Sequence, residues 1–379
     1  MLTGGLLGMM VVMGISRFAY TPILPLMERE LGMTHAVAGW LASMNYLGYL
    51  AGALGCALFP QMLRSGALNV SALLASIATT FLMGVGISAG WWGMMRGVAG
   101  LASAILFVVI SVEVAETLAR QGCTRWLGSL YGGIGLGIAL SGIIVPLLGR
   151  MGGWRGAWFG MGGLAAALSL AGVLLAHKRN VMLAIPDNHG IMAGKPGNLR
   201  LLAAAYFFEG LGYIVSATFL VVMIARTPGL ESFAPRSWVA VGVAAAPSTI
   251  FWQQLSHRIG LRAALTLAYA VQAGGVVISI FAHTPFQACL AAMLFGGTFL
   301  GIVTLVMTEG NRRAGKNGRR TAAILTASFS VGQVIGPPLA GLLADSRGGF
   351  TLPLVGAAVS VTLGMLLIAL DKGFQSHAC

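Results

Sequence analysis

Charge is scarce in this chain. Lys and Arg number 23 and Asp and Glu only 10 among 379 residues, so 9% of the chain is charged, against about 25% in soluble domains. With 57% hydrophobic residues, a water-soluble globule is excluded and a polytopic membrane protein is expected. Cysteine is scarce too. Cys56, Cys123, Cys289 and Cys379 show no paired spacing, which argues against a disulfide framework or a metal site, and no cofactor is expected. Long polar stretches are absent apart from roughly residues 177-197, which excludes a tethered enzyme or ATPase domain. The formal charge of +13 is read as topology and attraction to anionic membrane lipid, not as nucleic-acid binding.

What is present is a succession of apolar runs long enough to cross a bilayer. They lie near residues 2-28, 35-60, 66-88, 91-117, 124-149, 154-176, 198-226, 236-257, 261-282, 286-311, 320-344 and 350-371, each matching the ~20 residues a spanning helix needs. The first run lacks a basic leader and continues through Pro22 and Pro25 to Glu28, so it reads as a retained helix and not a cleaved signal.

That first run carries the residue around which the rest is arranged. Arg17 is the only charged side chain between Leu2 and Glu28. At ~1.5 Å per residue it falls near the middle of the ~30 Å hydrocarbon layer. A guanidinium at that depth costs at least ~2.5 kcal/mol on insertion scales, so it should face a bundle interior or a watery cavity.

Loop charges set the expected orientation. With the N-terminus inside, fifteen Lys and Arg fall on the cytoplasmic side, among them Arg64, Arg120, Lys195, Arg258 and Lys316, and six on the other. The positive-inside rule then puts both termini in the cytoplasm. The halves also repeat. Gly14 matches Gly210 at an offset of 196, Arg64-Ser65-Gly66 matches Arg258-Ile259-Gly260 at 194, and Gly133, Gly137 and Gly142 match Gly332, Gly336 and Gly341 at 199. Three matches in one order at similar offsets suggest duplication. The expected organisation is an N-terminal six-helix bundle over 1-176, a cytoplasmic linker over 177-197 and a C-terminal six-helix bundle over 198-379.

Parallel six-plus-six halves are the arrangement of the major facilitator superfamily, and several motifs resemble it. Arg258-Ile259-Gly260-Leu261-Arg262 is similar to the tail of its basic loop motif, and Arg96-Gly97-Val98-Ala99-Gly100 to its fourth-helix arginine motif. The stretches Arg17-Phe18-Ala19-Tyr20-Thr21-Pro22, Gly39 to Tyr49 and Gly332-Gln333-Val334-Ile335-Gly336-Pro337 resemble the bacterial YbfB/YjiJ-type branch. One departure matters: Pro60-Gln61-Met62-Leu63 precedes Arg64, where the loop motif normally carries an aspartate. The usual cytoplasmic charge latch is therefore in doubt. The resemblance implies an all-α fold of twelve helices in two pseudo-symmetric bundles, set in a bacterial inner membrane, with substrate held between the halves.

Intramembrane polar residues supply the site candidates. At ~100° per residue Met10, Met13, Tyr20, Thr21 and Leu24 fall within about 60° of Arg17. Tyr206, Glu209, Tyr213 and Ser216 form a similar stripe on the seventh run. The resemblance places these two helices across the cavity from each other, where Arg17 and Glu209 would see each other or share a ligand. Arg17, Tyr20, Asn45, Tyr49, Tyr206, Tyr213 and Gln333 are assigned to substrate contact. Asn45 is equally well an interhelical hydrogen-bond anchor. Glu209 is the expected proton carrier, with Glu113 its rival. Arg96 either snorkels to headgroups or, as the resemblance implies, takes part in coupling. Glu116 and Glu309 have basic neighbours within a turn and read as ion pairs. Gly310 to Asn317 has phosphate-loop spacing, but Asn317 replaces the Ser or Thr that would hold magnesium, and no strand precedes it.

The expected function is not enzymatic. It is proton-coupled secondary transport of a small organic anion by a monomer, through alternating access. Efflux of an amphipathic drug is the alternative, suggested by adaptable Met and Tyr walls. A sensor or scaffold that has kept the fold is a second alternative.

Overall fold

The computed structural model describes residues 1-123, 126-176, 198-315 and 317-374. The linker 177-197, with Lys195, and the loop residue Lys316 lie outside the described residues. Helices account for nearly all the rest: α1 Leu2–Met9, α2 Tyr20–Leu31, α3 His35–Leu58, α4 Gly66–Leu82, α5 Ala89–Arg120, α6 Leu127–Ala176, α7 Arg200–Arg226, α8 Ala234–Ile259, α9 Leu261–Ile280, α10 Pro285–Arg313, α11 Gly318–Arg347 and α12 Thr351–Leu370.

Nine helical stretches among the described residues are long and apolar enough to cross a membrane, with α1 and α2 counted as one. One of the nine is the 50-residue α6, which breaks at Gly152 and Gly153, where φ at Gly153 is +58°. That is left-handed backbone, which a glycine adopts without the Cβ clash of other residues. Counting its two arms separately, and adding the short α4 and the more polar α8, gives twelve segments. Neither α4 nor α8 meets the length and hydropathy criteria by itself.

The first span is the irregular one. A π-helix occupies Met10–Ile15, with Ser16 N–H bonded to Val11 O at 2.8 Å and Phe18 N–H to Met13 O at 3.2 Å. Thr21 N–H then reaches back only to Phe18 O. Pro22 and Pro25 donate nothing, so the ladder is loose over this stretch. Uniform 100° spacing therefore fails here, and the single face predicted around Arg17 is split.

Small residues let the helices close on one another. A Cβ at Gly48 or Gly100 would strike the backbone of α5 or α3, and one at Gly39 the carbonyl of Pro337 on α11. Likewise Gly135 of α6 lies against Gly242 and Ala246 of α8. Close helix approach through glycine is the main packing device available between helices in lipid. The contacts α3–α11, α6–α8 and α2–α7 join the earlier part of the chain to the later.

Candidate functional site: a buried arginine behind a cavity

Arg17 sits in the loosened part of the first span and is 4% exposed. Its guanidinium carbon lies 4.3 Å from the ring centroid of Tyr49 and 4.9 Å from that of Tyr46, both on α3. One terminal nitrogen approaches the Met13 sulfur at 4.0 Å, and Nε has no hydrogen-bond partner. Among the described residues Arg17 forms no ion pair. Aromatic faces attract a cation by ~1 to 2 kcal/mol but do not neutralise it.

Tyr49 also lines a cavity of about 420 Å³ between α3, α5, α10 and α11. Its walls include Ala53, Ala57, Phe107 and Ala322, and it is also lined by Arg64, in the 3-10 turn Pro60–Arg64 that follows α3, and by Arg319, at the start of α11. The cavity thus runs from a basic mouth along an apolar wall to the ring on which Arg17 rests.

Arg96 does not snorkel. It is 1% exposed, with its guanidinium 4.7 Å from the centroid of Tyr20 and its terminal nitrogens donating to the carbonyls of Ser16 and Arg17 at 3.3 to 3.4 Å. Those carbonyls belong to the irregular stretch. Tyr20 donates to Ala38 O at 2.9 Å and Thr21 to Ala217 O at 2.6 Å, so neither points with Arg17. Asn45 donates to Arg96 O at 2.9 Å, which makes it an interhelical anchor whose Oδ1 is left without a partner.

Glu209 is buried on α7, but the expected pairing with Arg17 is not made. Its Oε1 accepts from Gln272 of α9 at 2.7 Å, Gln272 in turn accepts from Thr298 of α10 at 3.0 Å, and Oε2 has no partner. Aromatic rings occupy the neighbourhood. Phe329 stacks on Tyr206 at 4.3 Å and on Tyr213 at 5.3 Å, while Tyr213 also faces Phe295 and Phe299. Gln333 donates to the Tyr213 hydroxyl, and its Oε1 has no partner. Sequence spacing gave no sign of Gln272 and Thr298 as the partners of Glu209, because they come from helices far along the chain.

Glu113 is half-buried on α5 and makes no ion pair among the described residues, whereas Glu116 meets Arg120 at 3.5 Å as expected. Glu309 is more deeply set than a solvated pair. It binds Arg312 and Arg313, and Arg313 continues to Asp371 at 2.7 Å and to Asn198 O, tying α10 to the ends of α12 and α7.

A bundle of apolar helices that holds a cation unpaired among the described residues behind the wall of a cavity is consistent with a membrane transporter. The family profile described as "Uncharacterised MFS-type transporter YbfB" matches residues 9–369, and the chain belongs to this major facilitator family of multi-pass membrane transporters. It is 26% identical over 294 residues to a chloramphenicol efflux pump of Mycobacterium tuberculosis (strain CDC 1551 / Oshkosh), covering 73% of this chain and 67% of the relative. It is 22% identical over 370 residues to the uncharacterized MFS-type transporter YceJ of Bacillus subtilis (strain 168), covering 94% and 93%. In fold it is similar to the crystal structure of the nucleoside transporter NupG, with a TM-score of 0.72, 13% identity, and 98% and 99% of the two chains covered.

Proposed function

We propose that this chain is a proton-coupled secondary transporter of a small organic anion, with residues 1-176 and 198-379 rocking as two halves in a bacterial inner membrane. The observation that carries the reading is the buried Arg17 guanidinium, which has no carboxylate partner among the described residues and rests on a ring lining the cavity. A cation at this depth is retained at a cost, and a visiting anion would offset it. Arg64 and Arg319 at the mouth would raise the local concentration of anions, and the apolar wall between would take the body of an organic acid. Of the residues assigned to substrate contact, Tyr49 is the one that lines the cavity. Tyr206, Tyr213 and Gln333 would join it once the aromatic stack parts.

Glu209 is the proposed proton carrier. It is a buried carboxylate with an oxygen free of hydrogen bonds and, among the described residues, no cation bound to it, and its partners Gln272 and Thr298 lie within the same half.

Drug efflux remains a second reading, favoured by the largely apolar cavity wall and by the efflux pump among the relatives. Flux in proteoliposomes separates the two. Labelled aromatic and aliphatic carboxylates should move in response to a pH gradient, and Arg17→Ala should raise KM by roughly 10- to 100-fold, the value of a charge-assisted contact. Transport of neutral amphipaths with no dependence on Arg17 would favour efflux and sink the anion reading.

A further inference from the structure

Two carboxylates, Glu28 buried and Asp345 exposed, fasten the face of the protein that carries Glu28. The Glu28 side chain is 4% exposed; Oε1 lies 2.8 Å from Nδ1 of His35, at the start of α3, and Oε2 accepts from Arg226, at the end of α7, at 3.2 Å. Asp345, near the end of α11, accepts from the backbone N–H groups of His35 at 3.1 Å and Ala36 at 2.8 Å. Each carboxylate therefore bridges the earlier half of the chain to the later. Asp345 also occupies a helix N-terminus, where unpaired N–H groups and the aligned peptide dipoles favour an anion. The His35 ring closes the seam against Phe350 at 4.7 Å. Below it, Ser43 Oγ donates across the same seam to Val334 O at 2.6 Å. At the opposite face the same two helices part around the cavity mouth at Arg64 and Arg319.

We propose that Glu28 and Asp345 are the latches of a gate on this face, and that Asp345 at the N-terminus of α3 supplies here the carboxylate latch that Pro60-Gln61-Met62-Leu63 fails to supply at the other face. The latches hold α3 against α11 and α2 against α7 at the Glu28 face, beside a cavity of about 630 Å³ that Glu28 and Arg226 line, and leave the cavity at Arg64 and Arg319 open. The gate rests on the reading of two moving halves, but its test measures accessibility and not flux, so it fails separately from the assignment of substrate.

The test is labelling of Ser43→Cys by a membrane-impermeant maleimide. It is done in full-length protein whose four native cysteines are replaced, with reagent applied to each membrane face in turn. Asp345→Asn and Glu28→Gln should each raise the labelling rate from the Glu28 face about tenfold, equivalent to about 1.4 kcal/mol of closed-state preference. Glu30→Gln serves as the control, since Glu30 contacts Arg29 and the Trp154 N–H within one half. It should leave the rate unchanged. Rates are taken on the monodisperse fraction, and Arg226→Gln, at a side chain 59% exposed, gives the same reading should either latch variant fold poorly. Unchanged rates in the latch variants, or an equal rise in Glu30→Gln, overturn the gate.

Discussion

The guanidinium of Arg96 donates through both terminal nitrogens to the carbonyl oxygen of Arg17, at 3.3 Å each. One buried arginine thus serves the backbone of another. In a regular helix the Arg17 carbonyl would accept from Thr21 N–H, but that group turns to Phe18 O, and the bond from α5 takes its place. The irregular stretch is what lets Arg17 leave the axis of its neighbours.

This division of labour predicts opposite effects on stability. Arg96→Gln should lower the detergent melting temperature, because carbonyls at Ser16 and Arg17 lose donors worth about 1 to 3 kcal/mol together. Arg17→Ala should leave it unchanged or raise it while impairing flux, because a buried charge without a partner destabilises its host. Thermal unfolding of the two variants followed by fluorescence checks this. Equal destabilisation would show Arg17 to be structural.

Coupling is tested at Glu209. Glu209→Gln keeps the size of the side chain and mimics the protonated carboxyl, so Gln272 retains an acceptor. The variant should lose its response to an imposed pH gradient but still exchange substrate across the membrane at equilibrium. If Glu113→Gln abolishes the response instead, the carrier lies on α5. A wild-type flux that follows sodium and ignores pH would remove proton coupling.

Two glycines of α3 should behave differently although both sit at close backbone contacts. Gly48 meets Gly97 of α5, within the earlier half, whereas Gly39 meets Pro337 of α11 in the later half. Gly48→Val should reduce folding yield. Gly39→Val should fold and instead be held with the Glu28 face open, read as faster labelling of the Ser43→Cys probe. Loss of yield in both would mean that the α3–α11 seam is as permanent as α3–α5.

Much of the fold was legible because the bilayer imposes length, and loop charge and glycine repeats follow from it. The burial of Arg17 was legible for the same reason: no other charged side chain shares its run. Its orientation was not, since a π-helix followed by Pro22 shifts the angular register that equal spacing assumes. Of the two readings of Arg96, snorkelling fails because its partners are carbonyls freed by irregularity in another helix, which no spacing along its own helix reveals. The Glu28–His35–Arg226 cluster was invisible for a simpler reason. It draws on three helices, with Asp345 from a fourth, and no local pattern links positions almost 200 residues apart.

The orientation itself is the remaining prediction. Basic residues collect on the side of Arg64, Arg120, Arg258 and Arg319, whereas Arg29, Arg150, Arg226 and Arg347 are spread over the other. The positive-inside rule then places the cavity mouth in the cytoplasm and the Glu28–Asp345 gate outside. Alkaline phosphatase fused after Lys195 and after Lys316 should be inactive, and fused after Glu231 it should be active, since the enzyme requires the oxidising periplasm for its disulfides. Activity at both lysine sites would invert the protein and put the gate in the cytoplasm. Activity at only one of them would mean that the number of crossings between residues 195 and 316 is odd, and that one of α7 to α10 does not cross.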